Sequence, residues 1–266
     1  SPGGAGKYGT GDYVWGDKLD IGRTANQYNP YTYEWEEMPL VSKGKDNFKN
    51  FLEPSFVTNN NISVAQKGQY GSIRSSLNHI YNKGQYPNAS QQRLSFSVSG
   101  TMDYKKFHLN ASLAYNKHLY SNNNGAGYGQ GGYMYNLLLW SGTEYDLRDY
   151  RNYWRAGKEQ QEQNWMDQWW YDNPYFLAYE KTNQRHQDLT NGSIDMTLDL
   201  TDWLKMKVRI GGDAFSNRYK SKTPIGTTSN KKGGFSISNY SGFSTTDDAM
   251  LIVDKRFGDF NVDGFI

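Results

Sequence analysis

Between Arg93 and Asn116 the chain alternates apolar and polar side chains with a period of two. Leu94, Phe96 and Val98 interleave with Arg93, Ser95, Ser97 and Ser99. Phe107, Leu109, Ala111, Leu113 and Tyr115 interleave with His108, Asn110, Ser112 and Asn116. Such alternation puts every apolar residue on one face of a strand. If Asp103–Lys106 makes the turn, Met102 faces Phe107, Val98 faces Ala111, Phe96 faces Leu113 and Leu94 faces Tyr115. One face of the hairpin is then uniformly apolar, and a one-residue slip would destroy the match. A second hairpin repeats the design. Ile194, Met196, Leu198 and Leu200 alternate with Ser193, Asp195, Thr197 and Asp199. Beyond Thr201–Trp203, Leu204, Met206, Val208 and Ile210 alternate with Lys205, Lys207 and Arg209. This turn places Asp199 opposite Lys205 and Asp195 opposite Arg209, a favourable cross-strand arrangement of charge.

The connections have a rhythm. Short ones are expected near 66–70, 103–106, 201–203 and 258–260, and long ones at 84–92, 121–182 and 217–248. Residues 1–58 read as a loop region, glycine-rich at first and then aromatic and acidic around Tyr31, Tyr33 and Trp35. Residues 59–266 read as about seven or eight strands interrupted by the long loop 121–182. An antiparallel meander with tight turns at one end and large loops at the other describes an outer-membrane β-barrel. Alternating strands also build soluble sandwiches, so a secreted or cell-surface β-rich carbohydrate-binding module is the alternative. The two differ in what covers the apolar face: lipid in a barrel, a second sheet in a sandwich.

The long loop has its own content. Ser121–Gly129 is low-complexity, Tyr133–Trp140 is apolar enough to pack inward, and a short helix is expected within 146–170 on Leu147, Tyr150, Trp154 and Ala156. Trp154, Trp165, Trp169, Trp170 and Tyr171, with Tyr31, Tyr33 and Trp35, are candidates to touch a substrate or a protein lid. Flat apolar rings with polar tips suit both tasks. Packing of the loop's own small core is the competing role.

Composition narrows the field. Of 266 residues only 36% are apolar, and mean hydropathy is −0.87. Yet 16% are aromatic, including 22 Tyr and 8 Trp, which disordered chains lack. Lys and Arg number 29 against 27 Asp and Glu, a formal charge of +2, so a nucleic-acid partner is not expected. Without cysteine there is no disulfide, no Cys-ligated metal and no thiol catalysis. The four histidines make no metal-binding pair. No apolar run is long enough for a transmembrane helix, which leaves a barrel open. Ser1–Gly6 lacks the features of a signal peptide, so the start reads as mid-protein or processed. Asp259–Gly264 matches the first half of a calcium loop but reads better as a turn entering a strand. Asp195, Asp199, Lys205, Lys207 and Arg209 read as a wet lumen face rather than as catalytic carboxylates. Leu94, Phe96, Val98, Leu109, Leu113, Ile194, Met196, Leu198, Met206 and Val208 read as lipid-facing. No nucleophile–base pair or phosphate loop calls for an enzyme, and no cofactor or metal is expected.

Several segments then resemble a known family in its own order. Asn61-Ile62-Ser63-Val64, Ser72-Ile73-Arg74-Ser75-Ser76 and Gly84-Gln85-Tyr86-Pro87-Asn88 are similar to the N-x-S-V, Y-R-x-S-x and G-x-x-P-N segments of the SusC/RagA family of TonB-dependent outer-membrane transporters. Tyr13–Asp20 resembles its W-G-x-x-L-D stretch, Asp172-Asn173-Pro174-Tyr175-Phe176 its D-N-P-Y-W segment, and Leu204–Arg209 its L-x-L-K-V-R strand. The resemblance implies an early piece of a barrel of about 22 strands, with the plug domain and its TonB-contacting box outside these residues. It implies a multi-pass protein of a Gram-negative outer membrane. It implies import of glycans or peptides, a SusD-like lipoprotein over the external mouth, and energy delivered by TonB through the plug.

Overall fold

The computed structural model describes residues 18–121, 131–166 and 170–266. Strands dominate. β1 (Thr24–Asn29) and β2 (Glu34–Pro39) form a small hairpin, followed by helix α1 (Asn47–Phe51). Then come β3 (Phe56–Gly68), β4 (Gly71–Lys83), β5 (Ser90–Tyr104) and β6 (Phe107–Tyr120). Helix α2 (Tyr133–Leu139), a 3-10 turn at Leu147–Tyr150 and helix α3 (Pro174–Glu180) lie between β6 and β7 (Thr182–Asp199). The chain continues through β8 (Leu204–Thr223), β9 (Gly234–Phe257) and β10 (Phe260–Phe265). Strands β3 to β10 form one open antiparallel sheet of eight, each paired with its sequence neighbours.

The sheet has two chemically distinct faces, because opposed residues share a face and successive residues do not. On one face five rows are apolar in β5, from Phe96 to Tyr104, and each continues across the sheet. Tyr104, Phe107, Leu198 and Met206 make the lowest row, next to the tight turns. Met102, Leu109, Met196 and Val208 follow. The Gly100, Ala111, Ile194 and Ile210 row is next, then Val98, Leu113 and Gly192, then Leu77, Phe96 and Tyr115. No second sheet covers this face among the described residues, and Phe96, Leu113, Ile194, Leu198 and Met206 are all exposed. The opposite face is a ladder of hydroxyls and charges. Ser76 and Ser97 share a hydrogen bond of 2.8 Å, Ser72 and Thr101 one of 2.9 Å, and Ser112 and Ser193 one of 3.1 Å. Nearer the turns Arg209 Nε donates to Asp195 at 2.8 Å, and His108 bridges Asp103 (2.7 Å) and Asp199 (3.1 Å).

The second hairpin has the expected register, Asp199 opposite Lys205 and Asp195 opposite Arg209. The first does not. Only Lys105 and Lys106 turn, with Lys105 left-handed at φ 54°, so Tyr104 opposes Phe107, Val98 opposes Leu113 and Phe96 opposes Tyr115. The register is displaced by two, and every side chain keeps its face. The tighter turn gains a paired row at Tyr104 and Phe107, and Tyr104 also meets Tyr70 edge-on at 5.2 Å. Leu94 then lies opposite Lys117, which pairs with Asp188 at 3.6 Å, so its row is polar and does not belong to the apolar band.

Three further expectations are corrected. The large sheet begins at Phe56, and 1–58 is not all loop, since it holds the β1–β2 hairpin and α1. The loop expected over 217–248 shrinks to 224–233, because β8 and β9 stay paired well past the apolar band. Phe215 against Tyr240 (5.3 Å) and Lys220 over Phe235 (5.6 Å) hold that extension. The helix expected within 146–170 is a single 3-10 turn at Leu147–Tyr150, and Trp154 instead bridges to Gln163. Asp259–Gly264 enters β10 as an extended strand, with Asp263 opposite Asp254, which is not a loop that wraps an ion. Tyr13–Asp17, the low-complexity stretch from Asn122 and Trp169 lie outside the described residues.

Candidate functional site: a folded module at the loop end

Every long connection of the sheet leaves from the same end, and the tight turns at 69–70, 105–106, 200–203 and 258–259 occupy the other. At the loop end residues 18–55, 131–166, 170–181 and 224–233 pack into one module. Its core is aromatic. Trp165 is fully buried, with ring centroids 5.0 Å from Tyr150, 5.8 Å from Tyr145 and 5.8 Å from Tyr171, each edge-on. Phe51 of α1 meets Tyr133 of α2 at 5.3 Å and Tyr175 of α3 at 5.1 Å, and Phe176 sits edge-on to Trp154 at 5.0 Å.

Buried amides bind the segments together, since loop backbone taken from water must find partners. Asn173 caps α3. Its Oδ1 accepts from the amides of Tyr175 (2.8 Å) and Phe176 (3.4 Å), and its Nδ2 donates to the carbonyls of Tyr150 and Asn164, both at 3.0 Å. Pro174 follows at the first helical position, where its missing N–H costs nothing. Asn164 donates to Pro30 O (3.0 Å) and Asn152 O (3.1 Å) and accepts from the Tyr28 hydroxyl (3.0 Å), tying the β1–β2 hairpin to the loop. Asn47 donates to Tyr145 O at 3.0 Å and accepts from Leu147 N at 2.8 Å. Gln163 Nε2 donates to Asp172 (2.6 Å) and to Gly226 O (3.0 Å), and the Thr228 amide donates to the same Asp172 carboxylate at 2.8 Å. The 224–233 turn is thereby latched to the 131–181 segment. Gly226 sits at φ 87°, with Gln161 O only 2.7 Å from where a Cβ would lie, so glycine is required there. Burial pushes the Asp172 carboxyl up, opposed by the hydrogen bonds from Gln163 and Thr228.

The aromatic candidates divide by burial. Trp165 and Tyr171 are core and present almost no surface, because Tyr145 and Tyr150 pack against Trp165, Trp140 packs against Tyr171, and the two rings meet each other. That corrects their expected role in contact. Tyr33, Trp35 and Trp154 are half-buried. Arg155 lies over the Tyr33 ring at 5.3 Å, and Trp154 Nε1 donates to Glu180 at 3.3 Å. Tyr31 (71% exposed) and Trp170 (42%) reach solvent, as does Tyr179, which was not anticipated. Tyr31 donates to Asp149 at 2.8 Å, and that bond raises the pKa of its hydroxyl. Tyr179 borders a cleft of about 380 Å³ lined by Phe51, Glu53, Arg151 and Tyr175. Arg151 lies over the Tyr175 ring at 5.7 Å, and Lys83 pairs with Glu53 at 3.1 Å. The cleft therefore offers aromatic faces beside charges of both signs. Among the described residues no cluster of His, Asp or Glu has the arrangement of a metal site.

Glu144 gives the module a pH dependence. It is 8% exposed, and burial pushes its carboxyl up to about 7. The folded module therefore holds a proton that the unfolded chain releases near its ordinary value of 4.5. Stability should be greatest below that value, fall as pH rises toward about 7, and stay flat above it. The loss is on the order of 3 kcal/mol at 1.36 kcal/mol per pH unit. Glu144→Gln should remove this part of the slope and leave the module more stable than wild type at alkaline pH. Thermal melts read by tryptophan fluorescence at acid and alkaline pH check this, and parallel pH curves for the two proteins would contradict it.

No known family model matches the chain, and no curated protein matches its sequence. Solved structures do. The RagAB peptide transporter aligns with a TM-score of 0.63 over 85% of this chain and 26% of the matched chain, at 16% identity. The RagAB peptide importer aligns at 0.59 in both its open-open and closed-closed states, over 83% and 82% of this chain, at 14% identity. The fold is that of a segment of an antiparallel β-barrel wall. At such identity the likeness is one of fold, and it agrees with the fold that the SusC/RagA resemblance implied. The chain spans about a quarter of the length of the barrel chains it matches. Its open sheet is an arc of such a wall, and the folded module crowns one rim of it.

Proposed function

We propose that the chain forms part of the wall and outer rim of a TonB-dependent outer-membrane importer that works with a SusD-like surface lipoprotein. The observation that supports this most strongly is the two-faced sheet. Its apolar rows span Phe96–Tyr104 in β5, against the roughly 9–11 residues a tilted strand needs to cross a bilayer. Phe96, Val98, Leu109, Leu113, Ile194, Met196, Leu198, Met206 and Val208 face lipid in this reading. Asp195, Asp199, Lys205, Lys207 and Arg209 line the wet lumen. The loop module stands at the external mouth, where cargo and the lipoprotein lid meet the barrel. The name of the RagAB peptide importer favours peptides as cargo over glycans, and the cleft beside Arg151, Glu53 and Tyr179 offers charges of both signs to peptide termini. TonB acts through the plug that the family resemblance implies.

The exposed rings test the reading. Replacing Tyr31, Trp170 and Tyr179 together by alanine in the full-length protein should weaken lid co-purification or peptide uptake about tenfold, as loss of one interface anchor of more than 1 kcal/mol would. The amount of folded barrel should stay unchanged, because these rings lie outside the core. Normal uptake and normal lid recovery would count against a contact role for this rim.

A further inference from the structure

The even-numbered residues of β8 share one face, and their chemistry changes once along the strand. Leu204, Met206, Val208 and Ile210 are apolar, Gly212, Ala214 and Ser216 are small, and Arg218, Lys220 and Lys222 are basic. This is the lipid-facing side in the reading above, on which the inference rests. Lys222 is already engaged, with Glu180 at 2.9 Å. Arg218 and Lys220 are exposed, and neither forms an ion pair among the described residues. Across the strands Arg218 opposes His186 of β7, and Lys220 opposes Ile237 of β9. The Lys220 ammonium lies 5.6 Å from the ring of Phe235. Phe235 (61% exposed) and Ile237 (44%) are apolar yet lie above the apolar band, beside two cations.

We infer that Arg218 and Lys220 bind a phosphate of an anionic lipid headgroup in the outer leaflet, with Phe235 and Ile237 against the lipid's apolar part. Arg218 lies four positions beyond Ala214, at the band's upper edge, a rise of about 10 Å on a tilted strand. Headgroups extend roughly 5–8 Å beyond the hydrocarbon, and an arginine stem bends back over that difference. Cations just above the hydrocarbon attract anionic headgroups. The neighbouring apolar side chains select an amphiphile over free phosphate, which has nothing to place on them.

The full-length protein is placed in nanodiscs of phosphatidylcholine carrying a small fraction of lipid A, or of lipid A stripped of its phosphates, and retained lipid is counted by native mass spectrometry. Wild type should retain the phosphorylated lipid in preference to the dephosphorylated one. Arg218→Gln with Lys220→Gln should lower that retention about 30-fold, the equivalent of about 2 kcal/mol at 1.4 kcal/mol per tenfold. Lys67→Gln, on the polar face near the tight turns, should change nothing. Millimolar inorganic phosphate should not compete. If the double variant inserts normally and keeps the lipid, or if the dephosphorylated lipid binds as well, or if inorganic phosphate displaces it, the proposal falls and the barrel reading stands. If the parent protein inserts into no bilayer, the barrel reading falls and takes this proposal with it.

Discussion

Trp165→Ala is expected to unfold the loop module while the sheet stays assembled. Trp165 is fully buried, and three tyrosine rings pack edge-on around it. Removing a buried Trp costs roughly 3–5 kcal/mol, and each lost aromatic pair adds about 0.5–1.5 kcal/mol beyond area burial. A whole domain is stable by only about 5–15 kcal/mol, so a module of this size has little margin. Asn173→Ala should act in the same direction through different physics. It removes a helix cap worth about 1 kcal/mol and leaves the Tyr150 and Asn164 carbonyls buried without their donor, at about 1–3 kcal/mol each. Limited proteolysis of the full-length protein checks both variants. Cleavage within 131–181 should accelerate sharply, while heat-modifiable migration of the barrel on a gel stays normal. A loop as protease-resistant as wild type in both variants would mean that the module is not held by this core.

What the sequence disclosed follows from which interactions carry a period. The apolar alternation of β5, β6, β7 and β8 exposed the strands and their faces, because burial or lipid contact repeats every second residue. The register of β7 on β8 was legible too, since Asp199 with Lys205 and Asp195 with Arg209 match in only one alignment. The register of β5 on β6 was not, because an apolar stripe looks the same after a shift of two. Only the turn decides, and Lys105 gives no hint of a left-handed conformation. The outer halves of β8 and β9 were hidden for a related reason. Scattered apolar residues such as Phe215, Phe235 and Ile237 stand among polar ones without an unbroken stripe, and the strands stay paired because the ladder begun in the apolar band continues. The loop module was the least legible part. Asn47, Asn164 and Gln163 stand in no periodic pattern, and only the fold brings each to carbonyls and amides far away in sequence. Asp172 and Asn173 stood in a segment that resembled a family motif, and the structure supplies the physical role for it: a cap for α3 and a latch onto the 224–233 turn.

The central claim, that one face of this sheet meets lipid and the other a wet lumen, is tested most directly by two arginines one residue apart. Val98 lies within the apolar band, opposite Leu113 and Ser75. Ser97 faces the other way and hydrogen-bonds Ser76 at 2.8 Å. In the full-length protein, Val98→Arg should cost about 2–4 kcal/mol, the penalty for a cation near the bilayer midplane. Ser97→Arg loses one hydroxyl pair and leaves its guanidinium in water, at no more than about 1 kcal/mol. The measurement is the fraction of heat-modifiable, folded barrel recovered from outer membranes. The account predicts a steep loss for Val98→Arg and near-normal recovery for Ser97→Arg. Equal damage from the two, or greater damage from Ser97→Arg, would contradict it.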